Sequence, residues 1–137
     1  MKVCVIGNGN VGLAAFRELR DLTGIDKLVL VGRNEDKVFA EVEDILDGQA
    51  LRPWSGPRLS SGGYKETEDA DVLVYTAGAG RKEGQTRLDL IDSNLKVVRQ
   101  VFENVNKYNK DAIVVVVSNP VDLITSEIVR ITGRKRS

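Results

Sequence analysis

Three glycines near the beginning of the chain have the spacing that points most directly to chemistry. Gly7, Gly9 and Gly12 follow a short apolar run in KVCVIGNGNVG, with the pattern G-x-G-x-x-G. Such glycines permit a tight turn, a close approach of a pyrophosphate to the backbone and close packing of a helix on a strand. Amide groups at the start of the next helix would then bind the phosphates. The spacing predicts a dinucleotide site, and the alternative interpretation is a purely structural turn.

A second feature lies at the end of the next apolar run, KLVLV, which is followed by Gly32, Arg33 and Asn34. Dinucleotide-binding folds normally place an acidic residue there, where it holds the 2′-hydroxyl of the adenosine ribose. A glycine instead leaves room for a 2′-phosphate, and an arginine offers a planar cation that binds it. We therefore expect NAD or NADP as the cofactor, with NADP or dual specificity favoured over strict NAD. The alternative is that Arg33 is a solvated surface residue and that both cofactors bind indifferently.

Composition excludes several classes of chemistry. The chain has 137 residues, no histidine and one cysteine, Cys4. Imidazole therefore cannot serve as a general acid, a general base or a metal ligand, and we expect no metal site. The 20 basic and 20 acidic residues balance, so no net charge favours nucleic acid or an anionic membrane. Because no signal peptide and no apolar run of about 18 residues is recognisable, we expect a cytoplasmic protein.

Strand and helix patterns alternate along the chain. Short apolar runs predict strands at 3–6, 27–31, 58–60, 71–76 and 112–117. Apolar residues at helical spacing predict helices at 11–22, 34–48 and 88–108, and a last one after Pro120. Gly24 and Gly133 are expected at helix C-termini, and Asn34 and Asp122 as N-caps.

This alternation predicts an α/β fold of the doubly wound (Rossmann) type, with one dinucleotide-binding domain over residues 1–137. Right-handed crossovers give five parallel strands in the order 3-2-1-4-5, with helices on both faces. Ligands of such sheets bind beyond the carboxyl ends of the strands, where the strand order reverses. The candidate loops all begin there: Gly7–Gly12, Gly32–Asn34, Gly78–Arg87 and Ser118–Pro120. Topology and the glycine motif thus predict one site independently.

Three segments resemble a known family. LVLVGRNEDKV, AGAGRKEGQTRLDLIDSNLKVV and VVVVSNPVDLIT look like the amino-terminal half of the malate/lactate dehydrogenase family, and the resemblance extends over essentially the whole chain. In that family, the residue at position 81 distinguishes substrates: arginine goes with malate and oxaloacetate, glutamine with lactate and pyruvate. Arg81 therefore resembles the malate branch, and a cationic fork suits a substrate with a second carboxylate.

The resemblance also implies roles for single residues. Arg87 would polarise the substrate carbonyl, Asn119 would bind the substrate oxygen and hold the nicotinamide, and Asn94 would contact cofactor or substrate. Without the resemblance, these residues are a solvated basic loop, a turn and a helix surface. The expected substrate-binding residues are Arg81, Arg87 and Asn119, and the expected cofactor-binding residues are Gly7, Asn8, Gly9, Asn10, Val11, Gly12, Gly32, Arg33, Asn34, Gly78, Asn94, Val117 and Asn119.

The sequence also departs from the family pattern. Gly32 stands where the family has an acid, and Glu83 stands where it usually has a proline. We expect these 137 residues to lack the family's carboxyl-terminal domain, which supplies its histidine–aspartate proton relay. The resemblance thus implies a chain that binds NAD(P), with malate or oxaloacetate as a further candidate ligand, and has little or no dehydrogenase turnover. The alternatives are a non-enzymatic nucleotide-sensing module and an engineered Rossmann scaffold. We also expect a homo-oligomer, associating through the helix at 34–48 or the open edge of the fifth strand.

Overall fold

The structure is a computed structural model that describes residues 1–49, 55–80, 83–84 and 86–135. Its elements in chain order are β1 (Lys2–Ile6), α1 (Asn10–Arg20), β2 (Lys27–Val31), α2 (Glu35–Gln49), β3 (Arg58–Gly62), a 3₁₀ turn (Tyr64–Thr67), β4 (Val72–Tyr75), α3 (Arg87–Val105), β5 (Ile113–Val116) and α4 (Val121–Thr132).

The five strands form one parallel sheet in the order β3-β2-β1-β4-β5. The predicted fold class and strand order are therefore confirmed. At its carboxyl end, Ile6 of β1 pairs with Val31 of β2 on one side and with Tyr75 of β4 on the other. This register places the loops after β1, β2 and β4 side by side, as expected where the strand order reverses.

Alternate residues along the strands pack into two separate apolar clusters, one on each face of the sheet. Cys4, Ile6 and Tyr75 belong to the cluster that includes Phe102 of α3 and Ile124 of α4. The opposite cluster combines strand residues such as Val5 and Leu30 with Phe16 of α1 and with Val38, Val42 and Ile45 of α2. The prediction of helices on both faces is thus confirmed.

The fifth strand is less buried than its sequence suggests. Ile113 and Val115 of β5 are 67% and 45% exposed, although the run is among the most apolar in the chain. The intervening Val114 and Val116 pack against the cluster under α3 and α4. Among the described residues, β5 pairs only with β4, so its outer edge and one of its faces are open.

Two predicted helix ends are wrong. Asp21, not Gly24, occupies the C-cap of α1, and its N–H donates to the carbonyls of Glu18 and Leu19. Gly24 supplies a positive φ of +88° in the turn that leads to β2. Asp122 does not cap α4, because Pro120 holds the N-cap position and Asp122 lies in the first turn.

Other caps agree with the sequence. Asn34 caps α2, since its Oδ1 accepts a hydrogen bond from the N–H of Lys37 at 2.9 Å. Gly133 ends α4 in the left-handed conformation with φ +69°. At the start of α3, Thr86 and Asp89 form a reciprocal capping box. None of the helices in the described ranges has both the length and the apolar character needed to cross a membrane.

Candidate dinucleotide-binding site

A cleft with a volume of about 270 Å³ lies at the carboxyl ends of β1, β2 and β4. Among the described residues, its lining combines the glycine loop, the end of β2 and the exit of β4: Ile6, Gly7, Asn8, Gly9, Val31, Gly32, Arg33, Tyr64, Thr76, Ala77, Gly78, Ala79, Val97 and Val101. A larger cavity of about 390 Å³ lies between α1 and the amino-terminal part of the sheet, but its walls are almost entirely apolar. Polar groups of the glycine loop, of the end of β2 and of the exit of β4 converge in the first cleft, so we assign the site there.

The three motif glycines serve different physical needs. Gly7 has a φ of +114°, and a Cβ there would lie 2.8 Å from the Ala77 nitrogen. A Cβ on Gly12 would lie 1.9 Å from the carbonyl oxygen of Gly7, so both positions must be glycine for the fold to close. A Cβ on Gly9 would meet no atom within 4 Å. The space in front of Gly9 is therefore free for a ligand.

Gly9 also holds the N-cap position of α1, and no side chain caps this helix. The following residues, Asn10, Val11 and Gly12, form the first helical turn, whose N–H groups have no acceptor within the helix. Those groups and the positive end of the helix dipole form a site suited to an anion. Asn10 and Val11 are exposed at this end.

Thr76, which the sequence analysis missed, fixes the glycine loop against β4. Its Oγ1 lies 3.1 Å from the carbonyl oxygen of Ile6 and 3.2 Å from that of Gly7, and donates its one proton between them. The N–H of Gly7 donates to the carbonyl of Val31 at 2.9 Å. A hydroxyl residue at the end of the predicted strand 71–76 was the signal that could have identified Thr76.

Packing requires a glycine at the end of β2. Gly32 is buried and its N–H donates to the carbonyl oxygen of Gly62 at 3.1 Å. A Cβ at this position would lie 2.6 Å from Cγ1 of Val38, so a side chain enters only if Val38 shifts. The nearest polar side-chain atom to that point is Oδ1 of Asn8, at 3.6 Å. The usual ribose-binding acid therefore has no space at position 32.

Arg33 follows on the surface, beside Tyr64. Burial raises the pKa of the Tyr64 hydroxyl, and the positive charge of Arg33 partly offsets that shift. Arg33 is the one charged side chain among the described residues that line the cleft. The electrostatic character of the site is therefore cationic, which suits phosphate groups.

Asn94 joins the loops that follow β4 and β5. Asn94 is buried, with 5% of the residue exposed. Its Oδ1 accepts from the N–H of Ala79 at 2.7 Å, and its Nδ2 donates to the carbonyl of Asn119 at 3.0 Å. Nearby, the hydroxyl of Ser118 donates to the carbonyl of Ala77 at 2.9 Å. Asn94 therefore positions both loops from α3.

The predicted residues fall into three groups: residues that line the cleft, residues that lie around it, and one residue outside the described part of the chain. Six of them line the cleft: Gly7, Asn8, Gly9, Gly32, Arg33 and Gly78. The others that are described lie around it: Asn10, Val11 and Gly12 in α1, Asn34 as a cap, Arg87 exposed at the start of α3, Asn94 buried, and Val117 and Asn119 exposed after β5. Arg81 lies outside the described residues.

Some lining residues were missed by sequence reasoning. Tyr64 lies on a 3₁₀ turn within a segment predicted to be mainly loop. Val97 and Val101 come from α3 and look like ordinary core residues in the sequence. Within the described ranges, no group of three or more His, Cys, Asp or Glu side chains is arranged to hold a metal ion.

Comparison with known proteins gives consistent results. A family model described as the NAD-binding domain of lactate/malate dehydrogenase matches residues 1–137. Similar curated proteins include an L-lactate dehydrogenase of Clostridium perfringens, 39% identical over 133 residues, and one of Clostridium botulinum, 41% identical over 134 residues. Each match covers 96% of this chain and 41% of the relative.

Solved structures of the same kind share the fold. The minor L-lactate dehydrogenase of Enterococcus mundtii, solved in a ligand-bound form, superposes with a TM-score of 0.86 at 38% identity. The lactate dehydrogenase MGS-M5 from a deep-sea metagenome library gives the same TM-score of 0.86 at 32% identity. Both matches cover 98% of this chain and 42% of the other, so the chain spans about two fifths of these relatives. These relatives are named lactate dehydrogenases, which leaves the expected malate branch unsupported by them.

Proposed function

We propose, because the chain belongs to the lactate/malate dehydrogenase family and matches its NAD-binding domain, that residues 1–137 bind a nicotinamide dinucleotide as the cofactor half of a 2-hydroxy-acid dehydrogenase. The observation that carries this proposal is the open space at Gly9, beside Gly7 and Gly12, where a Cβ would clash. The fold itself does not fill that space, which is therefore open to a ligand.

The residues present fit such a cofactor. Its diphosphate would lie over Gly9 and the first turn of α1, with the adenosine toward Gly32 and Arg33 and the nicotinamide toward Gly78 and Asn119. When bound, the nicotinamide would supply the hydride acceptor or donor of the reaction. Calorimetric titration of NAD⁺ and NADH into the purified chain tests this proposal, and a flat titration with both would overturn it.

The packing at Gly32 favours NADP or dual specificity. No side chain fits there without movement of Val38, so no carboxylate at that position repels a 2′-phosphate, and Arg33 offers a cation beside it. Titration of NAD⁺ and NADP⁺ into wild type and Arg33→Ala tests this preference. We expect Arg33→Ala to lose affinity for NADP⁺ alone, and an equal loss for both cofactors would contradict the proposal.

For the substrate, we propose malate or oxaloacetate on the basis of Arg81, with Arg87 polarising the carbonyl and Asn119 binding the substrate oxygen. The names of the relatives favour lactate instead. Titration of malate and lactate into the NAD⁺-saturated chain separates the two. We expect malate to bind more tightly and Arg81→Gln to reverse the order, whereas tighter binding of lactate to wild type would favour the relatives' substrate.

We further propose that the purified chain binds its ligands without significant turnover. The 137 residues contain no histidine, and the described lining of the cleft contains no carboxylate that could exchange a proton with the substrate. Sustained oxidation of malate or lactate by this chain would contradict the proposal.

We also propose that the chain self-associates. Phe39 on α2 is 59% exposed, and Ile113 and Val115 present an apolar face at the open edge of β5. Exposed apolar groups of this size on an open strand edge favour pairing with another chain.

A further inference from the structure

We propose that Asn8 determines which group the site accepts at the 2′ position of the adenosine ribose, and that together with Arg33 it selects a 2′-phosphate. This inference rests on the proposed function and deepens it. Asn8 belongs to the glycine loop, whereas Gly32 and Arg33 lie at the end of β2.

The side chain of Asn8 lies where it can contact the adenosine ribose. The amide of Asn8 occupies the space beside Gly32, with its Oδ1 at 3.6 Å and its Cγ at 3.9 Å from the point where a Gly32 Cβ would lie. Position 32 cannot carry a side chain without movement of Val38. The side chain of Asn8 therefore approaches, from β1, the region where an acidic residue at the end of β2 would otherwise hold the ribose.

Asn8 also has an unsatisfied hydrogen-bond donor. The Nδ2 atom of Asn8 is buried and has no hydrogen-bond partner in the described part of the chain. A buried donor without an acceptor costs about 1–3 kcal/mol, so such groups usually have a role that the protein alone does not satisfy. Because no protein acceptor fixes Nδ2, rotation about χ2 can turn it toward a ligand.

The hydrogen-bond donors of Asn8 and Arg33 suit a phosphate better than a ribose hydroxyl. A carboxylate at this site would only accept hydrogen bonds, which suits a ribose hydroxyl. Asn8 instead brings an amide that donates from Nδ2 as well as accepting at Oδ1, and Arg33 brings a guanidinium that only donates. The carboxylate of Glu35 lies against Gly63 and is not part of the cleft lining. A phosphate, which offers several acceptor oxygens and negative charge, matches this set best.

The test uses two fragments of the cofactor, adenosine 2′,5′-bisphosphate and AMP, which differ only in the 2′-phosphate. Each is titrated calorimetrically into the wild-type chain, Asn8→Ala, Asn8→Asp and the control Gln100→Glu, which adds the same negative charge on the exposed surface of α3. We expect Asn8→Ala to bind the bisphosphate about tenfold more weakly and AMP within about twofold of wild type. Asn8→Asp, which is nearly isosteric, should lose more affinity for the bisphosphate because its carboxylate repels the phosphate.

Parallel losses for both fragments, or no loss for either, would overturn the inference, because Asn8 would then only shape the loop. If Asn8→Ala does not fold, Asn8→Asp provides the test. The inference is overturned if Asn8→Asp distinguishes the bisphosphate from AMP as wild type does. Failure of the proposed function looks different: wild type would then bind neither AMP nor a nicotinamide dinucleotide. A wild type that binds NAD⁺ and AMP, with discrimination independent of Asn8, would remove this inference alone.

Discussion

The side chain of Asn94 donates a hydrogen bond from Nδ2 to the carbonyl oxygen of Asn119, over 3.0 Å. Asn94 lies on α3 and Asn119 lies after β5, 25 residues further along the chain. Because the other end of the same amide holds the N–H of Ala79, one side chain sets the relative positions of two loops beside the cleft. The resemblance implies a ligand-binding role for Asn94, which stays a prediction, and its observed contacts give it a positioning role as well.

Asn94→Ala should destabilise the fold, because it leaves the Ala79 N–H and the Asn119 carbonyl without their partner. We expect a loss of about 1–3 kcal/mol in the free energy of unfolding, measured by urea denaturation. Asn104→Ala on the same helix is the control, since near the surface its Nδ2 donates to the carbonyl of Gln100 and its Oδ1 accepts from the ammonium of Lys107. Its cost should be about 0.5 kcal/mol or less, and equal costs for the two variants would contradict the positioning role.

Gly9 and Gly12 should separate binding from stability. Gly9→Val places a side chain in open space, so the thermal midpoint should change little while affinity for NADH falls at least about tenfold. Gly12→Ala places its Cβ against the Gly7 carbonyl. It should lower the free energy of unfolding by about 1–3 kcal/mol or more, as overpacking does. Tight NADH binding by Gly9→Val would remove the basis of the diphosphate site.

Glu127 should contribute stability that depends on pH. Its carboxylate accepts from Nε of Arg130 at 2.8 Å and also pairs with Arg99 of α3. These hydrogen bonds hold the pKa of Glu127 at about 2, below its ordinary 4.5. A depressed carboxyl pKa stabilises the folded state above the unfolded value, and this contribution is lost as pH falls from about 5 toward 2.

Accordingly, Glu127→Gln should be less stable than wild type at pH 7 by about 1 kcal/mol, and the difference should shrink as the pH approaches 2. Urea midpoints at several pH values measure it. Glu103→Gln, at an exposed position of α3, is the control for loss of one charge and should differ little from wild type. A difference between wild type and Glu127→Gln that stays constant with pH would show that charge pairing is not its source.

Cys4 should be chemically inert in the folded protein. It is fully buried in β1, and burial raises the pKa of its thiol to about 11. Because the thiolate is the reactive form, alkylation by iodoacetamide at pH 8 should be at least about 100-fold slower in the native chain than in urea-unfolded chain. Mass spectrometry of samples taken over time measures both rates, and similar rates would mean that β1 is exposed.

Self-association should depend on exposed apolar side chains. We expect wild type to form dimers or larger species in light scattering, and Ile113→Lys or Phe39→Lys to reduce them, which identifies β5 or α2 as the contact. Leu88→Lys is the control, because Leu88 is 74% exposed but belongs to neither surface. A monodisperse wild-type monomer at high concentration would contradict the expected oligomer.

The sequence by itself determined the architecture of this protein. Short apolar runs and helical periodicity are local properties, and the handedness of strand crossovers then leaves few possible strand orders. For the same reason the glycine motif and the end of β2 could be assigned to one edge of the sheet, and Asn34 could be identified as a cap from its own neighbours. Where the local signal was ambiguous, as at Gly24 and Asp122, the expected helix ends were wrong.

Only the tertiary structure decided what individual residues do. The different needs of Gly9 and Gly12 depend on whether the backbone of Gly7 lies nearby, and the hydrogen bonds of Asn94 join segments 15 and 25 residues away. Likewise, Tyr64 on the 3₁₀ turn and Asn8 in the glycine loop reach the same cleft, and β5 is open although its sequence is that of a buried strand. Such distances between sequence-remote atoms are set by packing, which local patterns do not encode.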